Sequence, residues 1–136
     1  MRQGRLPGEL SHEEEIARMI RVNHAGEYGA QRIYQGQLAM LGKSACAPLL
    51  KHMAEQEQEH LQTFSEWMVK RRVRPTVFMP LWHVAGYAMG AATALLGEKS
   101  AMACTVAVES VIDEHYAAQE ARLENEPELK SIISKF

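Results

Sequence analysis

Apolar side chains recur at alternating spacings of three and four residues along three stretches of the chain. The clearest stretch contains Leu50, Met53, Glu57, His60, Phe64 and Trp67. This spacing places one stripe of side chains on the face of a helix that packs against a core. Glu57 and His60, one helical turn apart, interrupt that stripe. A buried carboxylate and imidazole need partners, and a metal ion is the obvious candidate.

Two further stripes are interrupted in the same way. The first contains Ile16, Ile20, Asn23, Glu27, Ala30, Tyr34 and Leu41. The second contains Met102, Thr105, Glu109, Ile112, Tyr116, Gln119 and Leu123. Glu27 and Glu109 therefore join Glu57 as carboxylates on faces that the pattern predicts to be buried.

The pattern predicts an all-α protein with five helices in a single domain. Ser11, followed by three glutamates, is a good N-cap for the first helix, and residues 1–11 are predicted as an extended lead-in. The predicted helical ranges are 12 to about 41, about 48 to 70 or 72, 77–97, 98 to about 124, and 128–136. No stretch of useful length alternates as a strand would. A chain of 136 residues is large enough to bury one core.

The height of each carboxylate along the helices decides whether they can meet. With a rise of about 1.5 Å per residue, Glu27 lies about 21 Å and Glu57 about 18 Å from the turn that joins the first two helices. If the third helix carries the chain back across the bundle, Glu109 lies about 17 Å from the same end. All three carboxylates are then predicted to share one layer.

Two hairpins joined by a long crossover helix form a ferritin-like four-helix bundle. Its di-metal sites take one Glu from each of two helices and a Glu-x-x-His from each of the other two. Glu27, Glu109 and the pair Glu57 and His60 supply three of these four contributions. The fourth is expected beyond Phe136, so the fourth bundle helix is predicted to be truncated. Oxygen-rich ligation with histidine favours iron or manganese over zinc.

Composition excludes some other classes of function. The formal net charge is only −2, which does not suggest a nucleic-acid partner. Cys46 and Cys104 lack the spacing of a zinc site or a disulfide framework and are predicted to be structural thiols. The N-terminus has no apolar run behind Arg2 and Arg5, so no secretory signal is predicted.

Five segments closely resemble the 5-demethoxyubiquinone hydroxylases, which are di-iron monooxygenases of ubiquinone biosynthesis. The segments are residues 21–30, 57–60, 72–76, 79–82 and 107–116. The resemblance implies two iron ions, with Glu27 and Glu109 as terminal ligands, Glu57 as a bridging ligand and His60 as a nitrogen ligand. Family members continue with a second Glu-x-x-His, which this sequence lacks. The C-terminal part of the family domain is therefore expected to be absent, and the chain is expected to bind iron weakly or unevenly.

The resemblance also implies a substrate and partners. A reduced site would activate dioxygen and insert one oxygen atom into the ring of a polyprenylated methoxy-methyl-benzoquinol. Electrons would come from NADH or a reductase, and other ubiquinone-biosynthesis proteins are possible partners. Tyr116 could orient a ligand or the substrate ring, and it could equally be a core tyrosine whose hydroxyl binds a neighbouring helix.

Residues 77–97 contain no charged side chain and follow a basic cluster at residues 70–74. The run is long enough to span a bilayer, but spanning would place Glu109 on the wrong side of the lipid. A helix lying in the interface is favoured, with Trp82 and Tyr87 near the headgroups and the arginines against anionic lipid. The expected location is the cytoplasmic face of a bacterial inner membrane or the matrix face of the mitochondrial inner membrane. A helix–partner interface is the alternative.

Two other functions compete with the hydroxylase. A ferritin- or rubrerythrin-like iron oxidase or peroxidase would use the same ligands, although it would not need a lipid-facing helix. A non-catalytic lipid-binding scaffold would keep the bundle without the chemistry.

Overall fold

The computed structural model describes residues 6–136 and contains five α-helices joined by short turns. The helices are α1 His12–Leu41, α2 Ala47–Arg71, α3 Met79–Leu95, α4 Glu98–Glu120 and α5 Pro127–Lys135. No strand occurs in the described residues. The prediction of an all-α, ferritin-like bundle is confirmed. The predicted lead-in at residues 1–11 falls partly outside the described range.

Local sequence explains most of the helix boundaries. Ser11 and Glu14 form a capping box at the start of α1, in which each side chain accepts a hydrogen bond from the backbone N–H of the other residue. The predicted third helix was too long at both ends, and the Thr76 hydroxyl accepts a hydrogen bond from the Phe78 N–H just before α3 begins. The predicted end of the fourth helix at residue 124 was also wrong. Leu123 lies in the turn after α4 and is fully buried there. Its place in the apolar stripe therefore indicates burial and not helical structure.

Helix α1 lies at the centre and is antiparallel to α4. The Gln37 side chain near the end of α1 donates a hydrogen bond to the Ala101 carbonyl near the start of α4. Asn23 and Gln119, in the opposite halves of the two helices, exchange two hydrogen bonds of 2.7 Å each. A turn at residues 42–46 returns the chain from α1 to α2, which packs against α1 on another side. Helices α2 and α4 consequently start at the same end of the bundle.

Helix α3 is the predicted crossover and runs parallel to α1. Glycines permit very close contact between them: a Cβ atom at Gly90 would overlap the Ile33 carbonyl oxygen, and one at Gly36 would overlap the Tyr87 carbonyl oxygen. The outer side of α3 is exposed and apolar, with Leu81, Trp82, Val84, Met89 and Leu95. Among the described residues, no helix combines the length and the apolar character needed to cross a bilayer.

Ion pairs connect the end of α2 to the start of α5 and the residue before it. Lys70 Nζ lies 3.0 Å from Glu128 Oε2, and an Arg71 guanidinium nitrogen lies 2.5 Å from Glu126 Oε2. Leu129 and Ile133 of α5 are buried in the larger apolar cluster, together with residues of α1, α2 and α4. Half of the predicted basic cluster is therefore engaged within the molecule.

Candidate metal centre

The interrupting polar residues lie between two apolar clusters. The larger cluster includes Ile20, Phe64 and Tyr116, and the smaller one is built on Ala30, Ile33 and Tyr34. Glu27 lies on α1 between the residues that enter the two clusters, and α2 and α4 bring the other polar residues to the same level. The helical periodicity of each stripe therefore continues through the layer with polar side chains in place of apolar ones.

The structure brings together three of the four residues predicted to bind metal. Glu27, Glu57 and His60 each offer one ligand atom, and these atoms lie within 4.8 Å of one another. His60 Nδ1 lies 3.5 Å from Glu27 Oε2 and 3.6 Å from Glu57 Oε2. Both glutamates are buried, and His60 is half-buried.

The carboxylate oxygens of this group fit a bound cation. Glu27 Oε2 and Glu57 Oε2 are buried without a hydrogen-bond partner among the described residues. Buried oxygens of this kind carry a desolvation cost that a hydrogen bond or a metal ion normally offsets. Two carboxylates and one imidazole also match the ligand preferences of iron and manganese.

Glu109, the fourth predicted ligand, lies beside this group and not within it. The Tyr34 hydroxyl donates a hydrogen bond of 2.5 Å to Glu109 Oε1. The pKa of Glu109 is raised to about 7, mainly by burial and also by the nearby Glu57 carboxylate, while the Tyr34 hydrogen bond acts in the opposite direction. Without a cation, two neighbouring carboxylates favour sharing a proton.

Tyr116 contacts the site directly. Its hydroxyl donates a hydrogen bond to Glu27 Oε1, which leaves Glu27 Oε2 as the oxygen that faces His60. Burial and the charges of Glu57 and Glu109 raise the pKa of Tyr116, so the phenol stays protonated and acts as a donor.

Two aromatic neighbours of the site were missed from the sequence. The apolar stripe gives Tyr34 no special role, although its seven-residue distance from Glu27 repeats the distance between Glu109 and Tyr116. Phe136 stacks on the His60 ring with centroids 3.8 Å apart. No sequence signal indicated this contact, because it depends on where the turn after α4 places α5.

A family model described as ubiquinone biosynthesis protein COQ7 matches residues 14–136 of the chain. The chain belongs to the COQ7 family. The predicted resemblance is therefore confirmed at the level of the family. Glu27, Glu57, His60, Glu109 and Tyr116 all lie within the matched residues.

Curated relatives of this COQ7-family chain have names that agree with the family. The chain is 56% identical to the 3-demethoxyubiquinol 3-hydroxylase of Rhodospirillum rubrum, a match covering 98% of the chain and 64% of the relative. It is 55% identical to the NADPH-dependent 3-demethoxyubiquinone 3-hydroxylase, mitochondrial, of Homo sapiens, and this match covers 89% of the chain and 58% of the relative. The 5-demethoxyubiquinone hydroxylase, mitochondrial, of Saccharomyces cerevisiae is 48% identical to the chain, and this match covers 82% of the chain and 48% of the relative. The chain thus spans less than two thirds of the length of each of these relatives.

Proposed function

We propose that this chain provides metal ligands of a di-iron monooxygenase that hydroxylates a polyprenylated demethoxyubiquinol with dioxygen. The observation that carries the proposal is the buried group of Glu27, Glu57 and His60, with two carboxylate oxygens that have no hydrogen-bond partner among the described residues. Family membership and the printed names of the relatives support the substrate class.

Each residue of the site has a proposed role. Glu27, Glu57, His60 and Glu109 would hold the two iron ions, and these ions would supply the dioxygen activation that ring hydroxylation requires. The Tyr116 hydroxyl fixes one oxygen of Glu27, so that the other oxygen is directed toward His60. The apolar clusters on both sides of the layer keep bulk water from the carboxylates.

Reaction of the iron-loaded chain with a short-chain demethoxyubiquinol, a chemical reductant and isotope-labelled dioxygen tests this proposal. A second sample carries the C-terminal part of the Rhodospirillum rubrum relative fused after Phe136, because that relative is longer than this chain. We expect a hydroxylated quinol with one labelled oxygen, at least from the fusion, and no product from Glu57→Gln. Iron oxidation without quinol hydroxylation in both samples would favour the iron oxidase or peroxidase. Failure of both samples to bind iron would favour the scaffold.

Electron supply and location form a second part of the proposal. Because several relatives are named NADPH-dependent, a reduced nicotinamide, directly or through a reductase, is the proposed electron donor. The exposed apolar side of α3 would lie on the membrane surface, from which a polyprenyl chain could enter. The proposed membrane is the inner membrane of a bacterium or of the mitochondrion, the compartment that the eukaryotic relatives' names give.

Arg72 and Arg74 are the basic residues proposed to contact anionic lipid. Lys70 pairs with Glu128 in the first turn of α5, and Arg71 pairs with Glu126 just before that helix. Arg72 and Arg74 are exposed and form no ion pair within residues 6–136. The variant with Arg72→Glu and Arg74→Glu is therefore expected to lose binding to anionic liposomes in flotation. A charge-matched variant with Lys43→Glu and Lys51→Glu should keep binding, because these exposed lysines lie at the opposite end of the bundle. Unchanged flotation of the arginine variant would favour a protein partner for α3.

A further inference from the structure

Two tyrosines hold carboxylates across the interface between α1 and α4. Tyr116 of α4 donates a hydrogen bond to Glu27 of α1, and Tyr34 of α1 donates one to Glu109 of α4. In each helix the glutamate precedes the tyrosine by seven residues. Because the helices are antiparallel, the two pairs are related by an approximate two-fold axis.

The seven-residue spacing has a geometric consequence. Seven residues are close to two helical turns, so each glutamate and tyrosine lie on the same face of their helix, about 10 Å apart. The antiparallel partner then presents a tyrosine opposite each glutamate. The same glutamate–tyrosine contact therefore occurs twice in this interface, and each of the two carboxylates accepts a hydrogen bond from a phenol.

We propose that Tyr34 is a positioning residue for the predicted metal ligand Glu109. This inference rests on the proposed function, because it assigns Tyr34 a role at the same metal site. Tyr34 is fully buried, so its hydroxyl is held rigidly by the surrounding core. Glu109 is only half-buried and lies on a helix with exposed neighbours on both sides, Val106 and Val111. The hydrogen bond from Tyr34 keeps the Glu109 carboxylate beside Glu57 and out of solvent.

A purely structural role is the competing explanation. A buried phenol needs an acceptor, and a glutamate could serve only that purpose. The two roles differ in what the loss of the hydroxyl changes. A structural hydroxyl affects the stability of the metal-free chain, whereas a positioning hydroxyl affects the affinity and the coordination of the metal.

The experiment is a cobalt(II) titration of the metal-free chain. Calorimetry measures the affinity, and visible absorption reports the coordination of the metal. Tyr34→Phe removes the hydroxyl and keeps the ring. We expect cobalt affinity to fall about tenfold to a hundredfold, with a changed visible spectrum. Thr105→Val is the matched control, because it also removes a buried hydroxyl from this interface. The Thr105 hydroxyl hydrogen-bonds to Gln37 and to the Ala101 carbonyl, and not to a carboxylate. The control should bind cobalt as the unmodified chain does.

A double-mutant cycle with Glu109→Gln tests whether Tyr34 acts through Glu109. In the Glu109→Gln background, Tyr34→Phe should cause no further loss of cobalt affinity. Additive losses would overturn the proposal, and so would an unchanged affinity and spectrum in the single variant Tyr34→Phe. If the unmodified chain bound no cobalt, the proposed metal function would fail and the positioning role with it. An unaffected Tyr34→Phe variant of a metal-binding chain would remove only the positioning role.

Discussion

The protonation of Glu109 depends on its burial and on its neighbours. Burial and the Glu57 carboxylate raise its pKa to about 7, from an ordinary value of 4.5. Between these two pH values the folded chain keeps a proton that the unfolded chain releases. Glu109 therefore contributes to the stability of the fold below about pH 4.5, and this contribution is lost as the pH rises through about 7.

We expect the metal-free chain to lose stability as the pH rises from about 5 to about 8, and Glu109→Gln to reduce that slope. Urea unfolding in the presence of a chelator measures the free energy of unfolding across this range. Glu126→Gln is the control, since the Arg71 hydrogen bond lowers the pKa of Glu126 and places its titration below this window. Parallel slopes for the unmodified chain and Glu109→Gln would contradict the prediction.

Phe136 shows how a single aromatic contact can organise the site. Its ring stacks on His60 and meets Phe64 edge-on, with centroids 5.7 Å apart. The stack restricts the plane of the imidazole, and Nδ1 of that ring faces Glu27 and Glu57. Stacked and edge-to-face aromatic pairs contribute about 0.5–1.5 kcal/mol beyond the area they bury.

The interface between helices α1 and α3 depends on the absence of side chains at three glycines. Gly36, Gly86 and Gly90 allow the two backbones to approach until carbonyl oxygens occupy the space of a Cβ atom. The benefit is a crossover helix that packs on α1 while its larger apolar residues remain on the outer side. The arrangement also makes the interface intolerant of even one methyl group.

Gly90→Ala is expected to destabilise the chain by about 1–3 kcal/mol or more, because overpacking forces the backbones apart. Gly26→Ala is the matched control, since Gly26 lies in α1 with no atom within 4 Å of an added Cβ. That control should stabilise the chain by about 0.5–1 kcal/mol through helix propensity. Thermal and urea unfolding measure both effects, and a neutral Gly90→Ala would show that α3 does not pack on α1 as described.

Half of the basic cluster at residues 70–74 makes contacts within the molecule. Lys70 and Arg71 lie over the Trp67 ring and reach the first turn of α5 and the residue before it. Exposed ion pairs of this kind contribute about 0–1 kcal/mol each, so they orient α5 more than they stabilise it. Only Arg72 and Arg74 remain for the proposed contact with lipid.

For the whole molecule, the metal-capable group joins α1 and α2, and Glu109 adds α4 through its contact with α1. A metal that binds the folded chain and not the unfolded chain stabilises the entire bundle by mass action. The buried carboxylates have the opposite effect without a metal, because two of their oxygens are desolvated and have no hydrogen-bond partner within residues 6–136.

Addition of iron(II) or cobalt(II) at about a hundredfold above its dissociation constant is expected to stabilise the chain by about 2.7 kcal/mol and to raise the melting temperature by about 5–10 °C. A chelator should reverse the shift. Glu57→Gln should lose it, whereas Glu55→Gln, an exposed glutamate on the same helix, should keep it. Equal melting temperatures with and without metal would argue against a metal site in this chain.

Much of the site followed from local pattern. The level of Glu27, Glu57 and Glu109 could be predicted because helical rise is constant and a short turn makes α1 and α2 antiparallel. The crossover followed from the uncharged run and the proline that precedes it. The end of α4 was predicted wrongly, since Leu123 continues the apolar stripe from a turn, and apolar spacing does not distinguish a helix from a buried turn.

The five helices, the family and the layer in which the polar residues lie can be predicted from the sequence, because each depends on residues close together in the chain or on motifs read directly from it. How those residues are oriented depends on tertiary packing, which turns Glu109 toward Tyr34, Phe136 onto His60, and Lys70 and Arg71 toward α5. These contacts join residues far apart in sequence. A side chain chooses among several rotamers according to its packed neighbours, and no local spacing records that choice.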